Sequence, residues 1–300
     1  MSDITVINDS EQSSLVTNGL AKNGELYLKA SGSTDEGAIV VYDSGSWRTF
    51  ANEVSAAYSN TYSVSFDGSN DYIDTGSTFQ STIRGGFTYS FWMKWSSLGT
   101  GAYAPFGSWD DSADQNTVYI SNPASNGTLN YRLEFGSPKI TLTGAPTGGW
   151  NTSDWFHIAM SVQQDGSNVA GKLYINGVKK IEGSAAGALN SYTSSRSIYI
   201  GARNRTNGSN IYFPGLIDEV AIFGSALSDG GVSNGQTAGG DIATLYNSGV
   251  PDDISSFSPV AHYRMGDNDS GTGTTITDQG SGGNDGTLTN GPTFSSSVPS

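Results

Sequence analysis

The run FTYSFWMKW, residues 87–95, alternates Phe87, Tyr89, Phe91, Met93 and Trp95 with Thr88, Ser90, Trp92 and Lys94. Successive strand side chains point to opposite faces, so one face here is unbroken apolar surface. That pattern suits a central strand of a sheet packed face to face on another. Similar short runs flank it: SVSFDG (63–68), TVYIS (117–121), NYRLEF (130–135), KITLTG (139–144), WFHIAMSVQ (155–163), RSIYIGAR (196–203) and IYFPGLIDEVAIF (211–223). In KLYINGVKKIEG (172–183), Asn176-Gly177 divides two β-prone runs and predicts a type I′ hairpin. Pro214 cannot donate a ladder hydrogen bond, so it marks an edge or a bend before the strand that follows.

The composition agrees with many short strands joined by tight turns: 40 glycines, 35% hydrophobic residues and 11% aromatics. The net charge of −14 argues against nucleic acid as a partner. With no cysteine, disulfides, thiolate metal sites and thiol catalysis are excluded. The opening MSDITVINDSEQSS lacks the basic and apolar regions of a secretory signal, and no apolar run nears the roughly 20 residues of a membrane span. The expectation is a protein made in a cytoplasm, without membrane insertion, that leaves by lysis, assembly or a non-secretory route.

Organisation falls into residues 1–58, 59–250 and 251–300. In the first stretch GELYLKA (24–30), GAIVVYD (37–43) and WRTF (47–50) read as strands around a hairpin turn, a small β attachment segment. After Phe223 comes a Gly/Ser-rich loop, then DIATLYNSG (241–249), a short helix with Asp241 as its cap. The tail, with PVAHYRMGDN (259–268) and SGGNDGTLTNGPTF (281–294), either returns a strand to the main sandwich or begins a second, truncated module; the first is expected, because a lone hairpin of this size is only marginally stable.

In order, FDGSNDYIDTG (66–76), FTYSFWMKW, DWFHIAM (154–160), KLYINGVKK (172–180) and GLIDEVAIF (215–223) resemble the laminin-G-like, concanavalin-A-like lectin family. The resemblance implies an all-β, antiparallel jelly-roll sandwich that binds glycans or proteins. It also implies a structural Ca²⁺ on the sandwich rim, held at the matching positions Asp67, Asn70, Asp71 and Asp218. Calcium takes oxygen ligands of this kind, but Asx side chains also build turns by bonding their own backbone. The tail resembles the lead-in that such domains carry before their first strand. A separate run, GAIVVYDSGSWRTFANE (37–53), resembles a segment near the start of virion structural proteins of marine bacteriophages.

A loop aromatic beside polar groups is one way to stack a sugar ring while bonding its hydroxyls. SWDDSADQN (108–116) offers Trp109, Asp110 and Asp111; GGWNTSDW (148–155) offers Trp150; RNRTNGSNIY (203–212) offers Arg203, Asn204, Arg205 and Tyr212. The alternative for each is packing over the end of the sandwich.

Catalysis finds no constellation. Asp218 and Glu219 are adjacent, hence on opposite faces of a regular strand, whereas paired glycosidase carboxylates must share one face. His157 lies in an apolar strand and reads as a structural imidazole; His262 lies in the tail with no nucleophile near it in sequence. The expectation is a non-enzymatic virion protein of tail, fibre or capsid surface. Its partners would be other virion proteins, further copies of itself and host polysaccharide. A decoration protein with purely structural contacts, or a bacterial carbohydrate-binding adhesin module, is the alternative.

Overall fold

A computed structural model describes residues 5–8, 10, 26–29, 39–43, 46–51, 58–110, 114–125, 127–135 and 139–300. The chain divides into two compact units, Met1–Ser59 and Asn60–Ser300.

In the first unit β1 (Thr5–Ile7), β2 (Leu26–Lys29), β3 (Ile39–Asp43) and β4 (Ser46–Ala51) form one sheet in that order. The β3–β4 hairpin closes with Asp43 opposite Ser46. Ile7, Tyr27 and Val40 make its small core, with the Tyr27 and Trp47 rings edge-on at 5.0 Å.

The second unit is a two-layer sandwich. Its strands, in chain order, are β5 (Ser63–Asp67), β6 (Tyr72–Asp74), β7 (Phe87–Trp95), β8 (Ala102–Trp109), β9 (Asp114–Ser121), β10 (Thr128–Phe135) and β11 (Lys139–Gly144). There follow β12 (Phe156–Asp165), β13 (Asn168–Ile175), β14 (Val178–Ala186), β15 (Tyr199–Ile200), β16 (Ala202–Arg205), β17 (Ile211–Tyr212) and β18 (Pro214–Phe223). The tail adds β19 (Ala261–Tyr263), β20 (Thr275–Ile276), β21 (Gly286–Thr289) and β22 (Thr293–Ser295). One sheet runs β14-β13-β12-β7-β18-β5-β22, with β19 beside β18; the other runs β11-β10-β9-β8-β15-β6-β21-β20, with β16 beside β8. The tail therefore contributes to both layers. β22 pairs with β5, β21 with β6, and β19 takes over from β5 along the second half of β18.

β7 lies at the centre of its sheet, and its five alternating apolar side chains are all buried in the inter-sheet core. Fully burying one such side chain is worth about 2–3 kcal/mol. Its other face is buried too, which a half-solvated strand would not show. The helix Gly240–Tyr246 and the loops around it lie over that face, and Ile242, Leu245 and Ile254 pack on Ala159, Tyr174, Ala221 and Phe223. Among the covered polar groups, Thr88 donates to the Ser225 carbonyl at 2.8 Å, and Ser90 Oγ meets His157 Nε2 at 2.8 Å. His157 is fully buried, and desolvation pushes its pKa down to about 3, so the ring is a neutral structural imidazole.

The helix begins one residue earlier than expected, and Asp241 does not cap it. Its carboxylate accepts instead from the Ser228 backbone N–H, tying the helix to the preceding loop. A second short helix, Gln80–Gly85, buries Ile83 and follows a left-handed Phe79; no periodic apolar pattern announced it. Among the described residues no helix is long and apolar enough to cross a membrane.

The Asn176-Gly177 turn has positive φ at both residues, 51° and 68°, with Ile175 opposite Val178, as a type I′ hairpin requires. A Cβ on Gly177 would stand 2.5 Å from Tyr246 Cδ1. Gly177→Ala should therefore cost about 2–4 kcal/mol, combining left-handed strain with displacement of the Tyr246 ring. Thermal melting reads this directly.

Candidate functional site

The residues expected to hold one Ca²⁺ do not form one ligand set. β5 and β18 are neighbours, but Asp67 is paired with Pro214, four positions from Asp218 and about 13 Å along the strand. Asp67, Asn70 and Asp71 stay together in a loop closed on itself. Asp67 Oδ1 accepts from the N–H groups of Ser69 and Asn70, and Asp71 Oδ2 accepts from the Asp67 N–H. The backbone bonds to Ser69 and Asn70 lower the Asp67 pKa, whereas burial raises that of Asp71.

Asp218 is fully buried. It accepts from Asn60 Nδ2 at 3.0 Å and from the Glu219 N–H at 2.8 Å. Burial first, and then the Glu219 carboxylate, push its pKa well above the usual carboxylate range. Among the described residues no cluster of three or more acidic or imidazole side chains is placed to hold a metal ion. The strand register thus separates Asp218 from the Asp67–Asp71 loop.

Glu219 departs from regular strand geometry. Asp218 pairs with Trp92 and Ala221 with Ser90, so β18 carries a bulge in between, and Glu219 adopts φ 47°. The bulge lies where the partner of β18 changes from β5 to β19. It directs the Glu219 carboxylate to His262 Nε2 at 2.7 Å and Arg264 Nε at 3.3 Å, both in the tail. Glu219 is 5% exposed, so it is a buried ion-pair residue rather than a surface one.

The expected sugar contacts do not stay together. Trp150 is a core residue: its Nε1–H donates to the Gly127 carbonyl at 2.6 Å and its ring packs on Phe156 at 4.9 Å. Asp111 lies outside the described residues. Trp109, Asp110, Arg203 and Arg205 do gather, because β16 runs parallel beside β8 with Arg205 opposite Trp109. The guanidinium carbons of Arg203 and Arg205 stand 4.2 and 4.7 Å from the Trp109 ring centroid, so the indole holds cations where an open stacking platform was expected.

Asn204 lies beneath this clamp, 2% exposed. Its carbonyl oxygen accepts from the Arg196 Nε and Nη, and its nitrogen donates to the Ser197 carbonyl at 2.9 Å, so it positions the strand. Tyr212 pairs opposite Ala202, three positions from Arg205 and therefore on the other face of β16. Asp110 accepts from Ser195 Oγ at 2.6 Å and stays half-exposed. What this end of the sandwich offers is a half-exposed Trp109 and Arg205 beside the Asp110 carboxylate. A guanidinium stacked on indole still directs its N–H donors outward in its own plane.

Sequence reading passed over one aromatic. Trp155 precedes β12 and is half-exposed, at the side of a cavity of about 600 Å³ on the outer face of the β7–β12 pair. By sequence pattern it is only the first residue of an alternating strand. The signal that marks it is its neighbour Asp154, since an Asp-Trp pair at a strand entrance places a polar group beside an exposed ring.

Among curated proteins none is similar to this chain. Among solved structures, a candidate carbohydrate-binding protein from Bacteroides ovatus aligns over 93% of this chain and 71% of its own, at 18% identity and TM-score 0.54. The heptameric pentraxin of Limulus polyphemus covers 56% of this chain and 78% of its own, at 16% identity and TM-score 0.40. The CBM40 domain of the Ruminococcus gnavus IT-sialidase covers 57% of this chain and 95% of its own, at 16% identity and TM-score 0.45. The sandwich described above and a family match over residues 67–233, more than half of the chain, lead to one assignment: the protein belongs to the concanavalin A-like lectin/glucanase superfamily.

Proposed function

We propose that this chain is a non-enzymatic glycan-binding protein carried on the surface of a bacteriophage particle, with the N-terminal β unit as its attachment segment. The observation that carries glycan binding is the gathering of Trp109, Asp110 and Arg205 at one end of a sandwich of the lectin-like family. A carboxylate acceptor next to guanidinium donors suits vicinal hydroxyls, each of which both donates and accepts. The virion role rests on the resemblance of residues 37–53 to phage structural proteins. Repeated copies on a particle would turn weak single-site affinity into firm attachment. The non-enzymatic reading is supported by Asp218 and Glu219, which are buried and committed to internal partners.

The test is binding of wild type, Trp109→Ala and Arg205→Ala to an array of bacterial surface polysaccharides. Wild type should bind, and each variant should lose at least about tenfold, the order of one charge-assisted hydrogen bond. Silence of the wild type across the array would favour a decoration protein with protein partners only.

A further inference from the structure

The antiparallel register that sets Phe156 opposite Met93 and His157 opposite Trp92 brings Trp155, the next residue outward, beside Lys94. Both line the cavity on the outer face of this sheet, together with Asp154, Asn176 and Tyr246. Its volume of about 600 Å³ is within the usual range for small-molecule sites. Trp92 forms the buried floor, with its ring stacked on Tyr246 at 6.0 Å and 23°. Tyr246 is held in turn by the close approach of Gly177. The apolar part of this pocket is thus fixed before any ligand arrives.

Two of the polar groups are held as well, Asn176 and Asp154. Asn176 sits at the hairpin tip, where its Oδ1 accepts from the His157 N–H at 2.8 Å, which turns its amide nitrogen to other use. Asp154 accepts from Asn151 Nδ2 at 2.7 Å through Oδ2 and is exposed. Among the described residues neither Asp154 nor Lys94 has an ion-pair partner. The cavity joins one ammonium, one side-chain carboxylate and one amide to the hydroxyls of Ser153, Ser296 and Ser297 and an aromatic wall, so donors and acceptors stand together and the two charged side chains cancel.

We propose that this cavity receives a neutral sugar ring, its apolar face on Trp155 and its hydroxyls on Asp154, Asn176 and Lys94. The proposal rests on the glycan-binding reading but uses residues separate from the Trp109 end. A charged sugar gains nothing there overall, because Lys94 and Asp154 oppose each other.

The experiment titrates glucose, galactose, mannose and N-acetylglucosamine, with glucuronate as the charged control, into the full chain by saturation-transfer NMR. The variants are Trp155→Ala, Asp154→Asn and Arg205→Ala. At least one neutral sugar should bind wild type at about millimolar concentration, and Trp155→Ala and Asp154→Asn should each weaken it at least tenfold, while Arg205→Ala reads the contribution of the Trp109 end separately. Asp154→Asn keeps the test decisive should Trp155→Ala fail to fold, since Asp154 is exposed. The proposal falls if no neutral sugar binds, if glucuronate binds better than every neutral sugar, or if both cavity variants bind unchanged. Loss in Arg205→Ala with both cavity variants intact would uphold the Trp109 end and remove the cavity. The converse pattern would uphold the cavity alone.

Discussion

Glu219→Ala should destabilise the sandwich by about 3–5 kcal/mol, the cost of removing one member of a buried ion pair. The Glu219 carboxylate joins His262 and Arg264, and those contacts pin the tail strand β19 onto β18. Without it the Arg264 guanidinium still has Asp267, at 3.3 Å. The loss is local before it is global, so amide exchange at Ala261–Tyr263 should rise more than at β7. A second variant separates charge from backbone strain. Glu219 has φ 47°, a conformation glycine adopts without penalty, so Glu219→Gly should be about 1 kcal/mol less damaging than Glu219→Ala. Equal melting of both variants would show that the bulge is not held by that conformation. Unchanged exchange in β19 would show that the ion pair does not anchor the tail.

This bulge also marks where sequence reading stops. Regular alternation made β7, β12 and the Asn176-Gly177 hairpin legible, because period-two burial and positive-φ turns are written in neighbouring residues. The same rule misplaced Glu219: adjacent residues occupy opposite faces only while the ladder is regular, and the inserted residue breaks that count. β8 was not legible, since Pro105 and Gly107 interrupt its apolar pattern; it tolerates them through a bulge between Tyr103 and Phe106. With β8 unread, Trp109 and Asn116 appeared to share one loop. Trp109 instead ends β8, while Asn116 lies within β9, bonded to the buried hydroxyls of Tyr89 and Tyr131. Trp150 misled for the opposite reason. A tryptophan after Gly148-Gly149 looks like an exposed loop aromatic, and only tertiary packing shows Trp95 and Phe156 against it. The glycan candidates that do gather, Trp109 with Arg203 and Arg205, depend on the parallel pairing of β16 with β8, which no local pattern encodes.

Asp229→Asn is the second substitution with a large expected effect, and its pH dependence identifies the cause. Asp229 is buried against two lysines, with Lys172 Nζ at 3.0 Å and Lys179 Nζ at 3.3 Å, and it accepts from the Tyr174 hydroxyl at 3.0 Å. Burial alone would raise its pKa; the bonds from Lys172, the Gly231 N–H and Tyr174 outweigh it and hold the group at about 2. The folded value is thus below the ordinary 3.8, so the stability this carboxylate contributes is complete above that ordinary value and is lost as pH falls through about 2. Lys179, only 2% exposed in its side chain, would keep just Glu182 as an ion-pair partner among the described residues in the variant. The expected loss at pH 7 is about 3 kcal/mol, or of order 10 °C in melting temperature for a domain of this size. The gap between wild type and variant should remain constant from pH 8 to about 5 and close toward pH 2, because protonated aspartate and asparagine are both neutral. A gap that persists undiminished at pH 2 would assign the loss to packing around the new amide, and the ionised carboxylate would then not be what secures the 226–231 loop to the face of β13.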